Sequence, residues 1–447
     1  MIKTLNRVRR GFYADSVALM RIARELSKGG VEASLMIGTP SNKALLKDSG
    51  LLTKEGESAR PDDLIIAVKG KKAEDALVLA EQLLLSGVKS NESEIPKSLA
   101  DPNLALISVP GEFAAAEARK ALERGLHAMV FSDNVPLADE VALKKFAAQR
   151  GLLLMGPDCG TALIAGVPLA FANAVPRGDT GIVSASGTGL QEVSSLLARA
   201  GRGVSHGIGV GGRDLSKEVG GLMTLAALDM LEKDPATKRI IVISKPPAAS
   251  VARKIVARAK RCRKPVVLCL LGSDRKLGFA RTLEEVVRKP GKEKPLRKKV
   301  KGRIVGLFCG GTLCAEAQIV LADSGVPARA YKLIDLGDDQ YTRGRPHPMI
   351  EPELRNEHIA KALRDKDVGI ILLDVVIGYG AHADPAGLLS SLLKKSSKLV
   401  IASVTGTEDD PQVYSKQVKT LRKAGVIVAG SNAAAARLAA LAAGGRR

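Results

Sequence analysis

The chain has 447 residues, which is enough for about three domains that each bury a core of their own. Aromatic residues make up only 3% of it and tryptophan is absent, a composition that favours helices packed on parallel sheets over an aromatic-rich sandwich. Because no stretch of about 18 apolar residues occurs and the first residues lack an apolar signal core, we expect a soluble cytoplasmic protein without a membrane partner.

The formal net charge of +21 can indicate nucleic acid or acidic partners. Much of it, however, lies in residues 281–303, where Pro, Gly and like charges disfavour both helix and strand. No aromatic residue is interleaved there to stack on bases. We therefore predict a solvated linker in this stretch and no nucleic-acid partner.

Five cysteines are scattered at positions 159, 262, 269, 309 and 314, and none forms a Cys-x-x-Cys pair. This spacing predicts neither a disulfide framework nor a zinc site, and no other metal site is evident. Cys159 and Cys309 fall in turns, where they are either reactive thiols or small buried apolar residues.

Residues 1–90 predict a small α/β module. Apolar runs alternate with turn residues there, which indicates strands at the start of the chain, at 33–37 and at 64–68. Helical patterns follow each strand, the last of them at 73–85. The polar stretch 86–102 then predicts a linker.

From residue 104 onward, strands and helices alternate in a way that predicts a parallel sheet. The predicted strands are 104–109, 127–131 and 152–155. Ligands of such sheets sit beyond the carboxyl ends of the strands. The turns at Pro110, at 132–134 and at Asp158 and Cys159 should therefore lie on one rim, which we take as a candidate substrate site.

Residues 181–201 carry the most informative pattern in the chain. A β-branched run breaks into Ser186, Gly187 and Thr188, and apolar residues at helical spacing continue until Gly201. Ser186 or Thr188 can cap the helix, the glycine lets a ligand approach the backbone, and the unpaired N–H groups of the first turn attract anions. The turn is either a phosphate site or a plain helix cap.

Residues 304–325 repeat this pattern. Gly310, Gly311 and Thr312 take the places of the first turn, and a glycine again ends the helix at the same distance from the threonine. Later strands recur in the same order. The second half of the chain therefore predicts two tandem copies of one α/β unit. The repeated turn is a further candidate substrate site.

Two more predicted strands end in residues that could bind an anion or take part in a reaction. Strand 240–244 ends at Lys245, whose ammonium group could neutralise an anion. The preceding glycine-dense loop at 206–214 does not open a βαβ unit, so it does not indicate a dinucleotide site.

The strand at 368–377 runs into Gly378, Tyr379 and Gly380, where glycine again permits close approach to the backbone. His382 follows in the same turn. It is either a general acid or base beside an anion site or a residue that hydrogen-bonds locally to the backbone.

These motifs resemble those of a known enzyme family. Residues 104–272 resemble the α subunit of succinyl-CoA synthetase, through Gly-Pro-Asp-Cys at 156–159 and Gly-Ile-Val-Ser-Ala-Ser-Gly-Thr at 181–188. The chain from residue 303 resembles the CoA-ligase domain of the β subunit, with 378–380 at its Gly-Gly turn. One chain that carries both parts behind an N-terminal module is similar to FdrA proteins over nearly its whole length.

The resemblance implies an α/β fold with a defined domain order. The N-terminal α/β module would span 1–90 and a Rossmann-like, CoA-binding-type region 101–176. Two flavodoxin-like ligase domains would follow at 177–280 and 303–447, joined by the basic linker 281–302.

In the synthetases, one helix N-terminus from each subunit holds the phosphate of a phosphohistidine. By resemblance, the turns at 186–188 and 378–380 would supply these two ends here. The family's phosphorylated histidine is replaced by Phe279, and the glutamate that steadies it by Lys245. A phosphohistidine mechanism is therefore not expected. Nothing resembles the ATP-grasp portion or the glycine-rich CoA-binding turn, so CoA remains a possible cofactor only.

Three functions are compatible with the sequence. The first is an acyl-CoA synthetase-like enzyme that forms or consumes an acyl phosphate. The second is a subunit of an oxamate carbamoyltransferase, which would convert oxalurate and phosphate to oxamate and carbamoyl phosphate in allantoin breakdown. The third is a non-catalytic scaffold. For either reaction we expect a small acyl or carbamoyl substrate, phosphate, and further subunits of a hetero-oligomer or a homodimer, with Lys245 and His382 as catalytic candidates.

Overall fold

The structure is a computed structural model that describes residues 2–12, 16–61, 63–87, 102–109, 111–273, 279–291, 293, 299–342, 347–394 and 396–446. The chain divides into two compact units, Met1–Ala100 and Asp101–Arg447. Among the helices in these ranges, none combines the length and the apolar character that a bilayer span requires.

The N-terminal unit is a three-stranded antiparallel sheet with helices on both faces. Its elements are β1 (Lys3–Arg9), α1 (Ser16–Ser27), β2 (Glu32–Ile37), α2 (Pro40–Asp48), α3 (Lys54–Glu57), β3 (Leu64–Gly70) and α4 (Ala73–Gly87). β3 lies between β1 and β2 and pairs with both in antiparallel fashion. Its apolar residues alternate between two cores, since Leu64 and Ile66 pack with α4 whereas Ile65 packs beneath α2. This double burial explains the uninterrupted apolar run of β3.

The second unit begins with a half Rossmann-like sheet. It contains β4 (Leu104–Ile107), α5 (Gly111–Glu123), β5 (His127–Val130), α6 (Leu137–Gln149) and β6 (Leu154–Met155). The strands are parallel and lie in the order β4-β5-β6. The carboxyl ends of all three strands therefore share one edge, as the alternating pattern predicts.

A six-stranded sheet follows. It is formed by β7 (Thr161–Ile164), β8 (Val167–Ala170), β9 (Arg177–Ser184), β10 (Val204–Gly209), β11 (Arg239–Ser244) and β12 (Val266–Leu270). The helices between its parallel strands are α7 (Gly187–Arg199), α8 (Leu222–Lys233) and α9 (Ala249–Lys260). The strand order is β12-β11-β9-β10-β7-β8, with the antiparallel hairpin β7–β8 on the edge.

A five-stranded parallel sheet completes the unit. Its strands are β13 (Arg303–Phe308), β14 (Tyr331–Asp335), β15 (Val368–Val376), β16 (Leu399–Thr405) and β17 (Ile427–Ala429), in the order β14-β13-β15-β16-β17. The helices are α10 (Gly311–Asp323), α11 (Asp339–Thr342), α12 (Glu353–Arg364), α13 (Pro385–Leu393), α14 (Tyr414–Lys423) and α15 (Asn432–Ala442).

The strand orders of the two larger sheets confirm the predicted α/β fold with tandem flavodoxin-like parts. When the strands are numbered from the first strand of each copy, the second sheet has the order 2-1-3-4-5, which is typical of flavodoxin-like folds. The first sheet has the order 2-1-3-4, with the β7–β8 hairpin beside its second strand. The repeat in the sequence is thus a repeat of topology.

The two copies share one hydrophobic core. Leu190 and Val193 of α7 belong to the same buried cluster as Leu313 and Ala317 of α10. Buried polar contacts cross the same interface, because Glu192 accepts hydrogen bonds from the hydroxyl of Thr405 and the N–H of Asn432. α7 is therefore held between the two sheets.

The segment 281–303, predicted to be a solvated linker, is folded in its described first part. Leu283 is 0% exposed, and Val286 and Val287 are buried as well. Glu284 is buried and pairs with Arg437 at 2.6 Å. The apolar residues between the charges supply enough buried area to hold this part on the core. Residues 292 and 294–298 lie outside the described ranges.

Glu316 of α10 gives the fold a pH dependence that can be measured. Burial raises the pKa of its carboxyl to about 8, and the nearby Glu192 carboxylate acts in the same direction. Between pH 4.5 and 8 the folded chain therefore keeps a proton that the unfolded chain releases, so the free energy of unfolding should fall as the pH rises. Urea unfolding at several pH values measures the slope. Glu316→Gln, which cannot ionise, should flatten it, and an unchanged slope in this variant would contradict the assignment.

Candidate functional site

The N-terminus of α7 presents free backbone amides. Ser186 is its N-cap and accepts the N–H of Gly189 through Oγ at 2.9 Å. Ser184, the last residue of β9, positions this cap by accepting the N–H of Ser186. Within the described ranges, the N–H groups of Gly187 and Thr188 donate to no protein acceptor. The predicted turn is thus both a helix cap and a site with two free donors.

An aspartate on the neighbouring strand β15 holds the turn that precedes α10. Asp374 of β15 is fully buried and accepts the N–H groups of Cys309 and Gly310, each at 2.8 Å. Arg355 donates to the carbonyl oxygen of Asp374 at 2.7 Å. α10 has no side-chain cap, so in the described chain the first N–H groups of the helix, beginning with Gly311, have no acceptor.

These two helix ends meet. A Cβ at Gly310 would lie 2.9 Å from Oγ1 of Thr188, and a Cβ at Gly311 would lie 2.9 Å from Nζ of Lys245. Oδ2 of Asp335 also lies against Gly311. We call this group of Gly187, Thr188, Lys245, Gly311 and Asp335 the α7–α10 junction. It forms where the strand order reverses in both sheets, between β9 and β11 and between β13 and β15, which is where such folds bind ligands.

Asp335 ends β14 and has an unusual proton affinity. Burial raises the pKa of its carboxyl to about 6, against the opposing effect of the Lys245 ammonium group. Its Oδ1 accepts the N–H of Gly337 at 3.0 Å. The α7–α10 junction therefore combines two positive helix ends and an ammonium group with a carboxyl that can release or take up a proton near neutral pH.

The turn of Gly378, Tyr379 and Gly380 is not a helix N-terminus, contrary to the prediction. The N–H of Gly378 donates to Oε1 of Gln412, and that of Tyr379 donates to the carbonyl oxygen of Ala172. α13 begins only at Pro385, and the side chain of Asp384 caps it. Two of the amides expected to hold phosphate are thus engaged within the protein. The structure pairs α7 with α10 instead.

The β7–β8 hairpin and the segment after it stand between the two predicted turns. A Cβ at Gly187 would lie 3.0 Å from Oγ1 of Thr161, and Thr161 donates to the carbonyl oxygen of Phe171 at 2.7 Å. A Cβ at Gly380 would lie 2.5 Å from the ring of Phe171. Both turns therefore contact this segment, on the same part of the molecule.

His382 makes its hydrogen bonds locally. Its Nδ1 accepts the N–H of Asp384 at 3.0 Å, and its own N–H donates to the carbonyl oxygen of Met349. The sequence leaves two roles open for His382, a general acid or base and a residue that hydrogen-bonds locally to the backbone. These contacts correspond to the second role. They do not bring the imidazole to the α7–α10 junction.

The remaining predicted site residues lie on the rim at the carboxyl ends of β4, β5 and β6 or in the core. Asp158 is exposed, with a positive φ of 56°, and Pro110 lies outside the described residues. The Cys159 thiol is buried and donates to the carbonyl oxygen of Gly209, and burial raises its pKa to about 12. Burial likewise raises the pKa of Cys309. Both cysteines are therefore buried thiols rather than nucleophiles.

The rim at the carboxyl ends of β4, β5 and β6 is closely packed where its first helix begins. The N-terminus of α5 begins at Gly111, whose Cβ position is already filled by the backbone oxygens of Asp133 and Asn134. This packing does not by itself indicate a site for the diphosphate of CoA. The glycine-dense loop at 206–214 serves packing, because Gly211 lies against the carbonyl oxygen of Pro157. We therefore derive no chemical step through CoA.

Sequence reasoning missed Asp335, Asp374 and Arg355. Asp335 could have been found as the polar residue at the end of an apolar run, 331–335, in the repeat. Asp374 is the charged residue in an otherwise apolar strand, which indicates a buried polar role. No local pattern indicates Arg355, because its partner is 19 residues away in the sequence.

Two sequence profiles match the chain. Residues 307–442 match the one described as CoA-ligase, and residues 1–98 match the one described as AllF, heavy metal-associated domain. Residues 1–98 contain neither Cys nor His, so thiolate and imidazole ligands for a heavy metal are missing from that segment. In the described parts of the chain, no three or more His, Cys, Asp or Glu residues are grouped to hold a metal ion.

A curated relative agrees with the ligase similarity. The chain is 29% identical to the α subunit 1 of an ADP-forming succinate–CoA ligase of Archaeoglobus fulgidus, over 40% of this chain and 61% of that subunit. It thus spans less than two thirds of that relative. A solved structure of a dinucleotide-forming acetyl-coenzyme A synthetase 1 of Ca. Korarchaeum cryptofilum matches with 18% identity and a TM-score of 0.35, over 77% of this chain and 83% of that one.

One relative covers nearly the whole chain. It is the uncharacterized protein YahF of Escherichia coli (strain K12), with 42% identity over 94% of this chain and 95% of its own length. Parts of the chain are also similar to enzymes of known type. Residues 307–442 match the CoA-ligase profile, and 40% of the chain aligns with the succinate–CoA ligase subunit. The chain therefore belongs to the same family as YahF, and its residues 307–442 form a CoA-ligase-like part.

Proposed function

We propose that the chain is an acyl-CoA synthetase-like protein of the FdrA type that handles an acyl phosphate at the α7–α10 junction. The observation that supports this most is the approach of Thr188 to Gly310 and of Lys245 to Gly311, at two helix ends whose first amides are free. Two positive helix ends and an ammonium group suit a phosphate dianion.

The chemistry would proceed without a phosphohistidine. Phe279 stands at the place of the family's histidine and packs against the core, so it cannot carry phosphate. The α7–α10 junction would instead hold the phosphate that attacks or leaves the acyl carbon and stabilise its charge. Asp335 would take up or release the proton that accompanies the transfer.

Carbamoyl transfer is the second candidate, and the AllF profile over residues 1–98 favours it. In this reaction a phosphate oxygen attacks the carbamoyl carbon of oxalurate, the bond from that carbon to the oxamate nitrogen breaks, and the nitrogen takes up a proton. The products are carbamoyl phosphate and oxamate. The reaction needs a phosphate site and a proton donor but neither CoA nor a histidine carrier, which agrees with the residues present.

Both reactions would require partner subunits, because the acyl-carrying half of neither reaction is visible in the sequence. The scaffold alternative predicts no anion binding at all. Turnover of carbamoyl phosphate with oxamate should be compared with turnover of succinate, CoA and ATP, each with and without neighbouring gene products. Product formed by the purified chain alone would contradict the need for partners.

Lys245→Met tests the site directly. The loss of the ammonium group should weaken binding of phosphate to the full chain by about tenfold, as measured by isothermal titration calorimetry. Lys238→Met is the matched control, since Lys238 is an exposed lysine beside the other end of β11 and should leave affinity unchanged. No phosphate binding by the wild-type chain would favour the scaffold. Equal affinity in both variants would remove Lys245 from the site.

A further inference from the structure

A second cavity lies away from the α7–α10 junction. It has a volume of about 280 Å³ and lies between the β4-β5-β6 sheet and β10. It reaches the first residues of β4 and β5, whereas the α7–α10 junction lies at the carboxyl ends of β9, β11 and β13. Its size is just below the usual range for small-molecule pockets, about 300–1,000 Å³, so it suits only a short ligand. Most of its lining is apolar, and its polar members are Asn103, His127, His206 and Asp234.

His206 reaches this cavity because β10 is irregular. The pairing of β10 with β9 shifts register between Val204 and His206, as in a β-bulge. In a regular strand Val204, His206 and Ile208 would share one face. Instead Val204 packs in the core around α7, whereas His206 and Ile208 line the cavity. The bulge thus directs an imidazole into a mostly apolar pocket.

The backbone fixes the tautomers of both histidines. Nδ1 of His206 accepts the N–H of Ala165 at 3.1 Å, and Nδ1 of His127 accepts the N–H of Leu153 at 2.9 Å. A ring nitrogen that accepts an N–H carries no proton, so the hydrogen of each neutral imidazole is on Nε2. Burial lowers the pKa of both histidines and keeps them neutral at pH 7. The cavity therefore contains two uncharged N–H donors.

An acceptor lies beside one of these donors. Nε2 of His206 is 3.6 Å from Oδ2 of Asp234, which is too far for a direct hydrogen bond. The Asp234 carboxylate already accepts the N–H of Ala236 and the hydroxyl of Thr237, and it keeps lone pairs for further donors. Both side chains are 23% exposed, so the pair can be reached from solvent.

We infer that this cavity is a second small-molecule site, selective for a short aliphatic compound that ends in an uncharged primary amide. The amide oxygen accepts the Nε2–H of His206, and the amide nitrogen donates to Asp234. The aliphatic chain packs against Leu104, Met155 and Ile208. A carboxylate at the same end would face the charge of Asp234, and a ketone would offer that carboxylate no further donor.

Three compounds of nearly equal size test this selectivity on the full chain by isothermal titration calorimetry. Hexanamide should bind saturably. Methyl pentyl ketone, in which a methyl group replaces the amide nitrogen, should bind about tenfold more weakly, because a hydrogen bond to a charged acceptor is lost. Hexanoate should bind most weakly. Equal affinities for the three, or no binding of hexanamide at millimolar concentration, would overturn the inference.

A cavity-filling variant locates the binding. Ile164 lines the cavity and is partly exposed, so Ile164→Trp should fill the space without disturbing a fully buried position, and hexanamide binding should be lost. Leu106→Trp is the control, because Leu106 is 57% exposed and does not line the cavity. Retained affinity in Ile164→Trp would place hexanamide elsewhere and overturn the assignment. Phosphate binding at the α7–α10 junction should be the same in both variants.

Discussion

Replacing Lys144 by methionine is expected to lower the free energy of unfolding by about 3–5 kcal/mol. The side chain of Lys144 is 0% exposed, and Nζ lies 2.9 Å from both the Glu140 and the Asp214 carboxylates. It also donates to the carbonyl oxygen of Val210 at 2.8 Å. Methionine keeps the apolar stem but removes the ammonium group that pairs with Asp214, and it leaves the buried Glu140 carboxylate with Arg213 as its remaining cation. Urea unfolding of the full chain measures the loss.

The matched control for Lys144 is Lys120 on the neighbouring helix. Lys120 pairs with Glu117 at 2.7 Å, but its side chain is 68% exposed, so Lys120→Met should change stability by less than about 0.5 kcal/mol. A loss below about 1 kcal/mol in Lys144→Met would show that the buried cluster adds little. The expected result would instead show that the cluster anchors the glycine-rich loop at 209–214 to α6.

Asp335→Asn is expected to strengthen anion binding at the α7–α10 junction about tenfold at pH 8. The Asp335 carboxylate, whose pKa burial raises to about 6, is ionised at pH 8 and repels an anion held by Lys245. Below pH 6 it becomes neutral, so the wild-type affinity should rise as the pH falls through 6. Sulfate is the proper probe, because it stays a dianion across this range, and calorimetric titrations between pH 5 and 8 measure the effect.

The asparagine variant should bind sulfate with the same affinity at every pH, because residue 335 no longer titrates. Asn can still accept the N–H of Gly337, so the turn should be preserved. Asp338→Asn is the control, since Asp338 is an exposed neighbour that acts on Asp335 only through its charge. If the affinity of the wild-type chain for sulfate does not depend on pH, Asp335 is not part of the site. If Asp335→Asn binds the anion more tightly but loses turnover, the result supports a role of Asp335 in proton transfer.

Much of the fold could be predicted because its signals are local. The Ser-Gly-Thr turn before an apolar helical pattern predicts the start of α7, and its recurrence predicts the second copy of the α/β unit. The β7–β8 hairpin was missed because each strand has only 4 residues and the pattern between them resembles a loop. The folding of residues 281–288 was missed because the charges there obscured the spacing of Leu283, Val286 and Val287.

The candidate site was only partly predictable. Ser186, Gly187, Thr188 and Lys245 follow strands of one sheet, so their common edge follows from the parallel arrangement. The parallel arrangement does not determine which second helix end faces α7. Resemblance favoured the turn at 378–380, but the amides of Gly378 and Tyr379 are engaged by Gln412 and Ala172.

By itself, the sequence determined the α/β class, the tandem repeat and the free amides of α7, because turn chemistry and apolar periodicity act between neighbouring residues. Only the tertiary structure decided that α10 faces α7, that Lys245 and Asp335 share that place, and that a bulge turns His206 into a separate cavity. These features depend on contacts between residues far apart in the chain, since the packing of one sheet against the other selects which helix ends meet and which amides stay free.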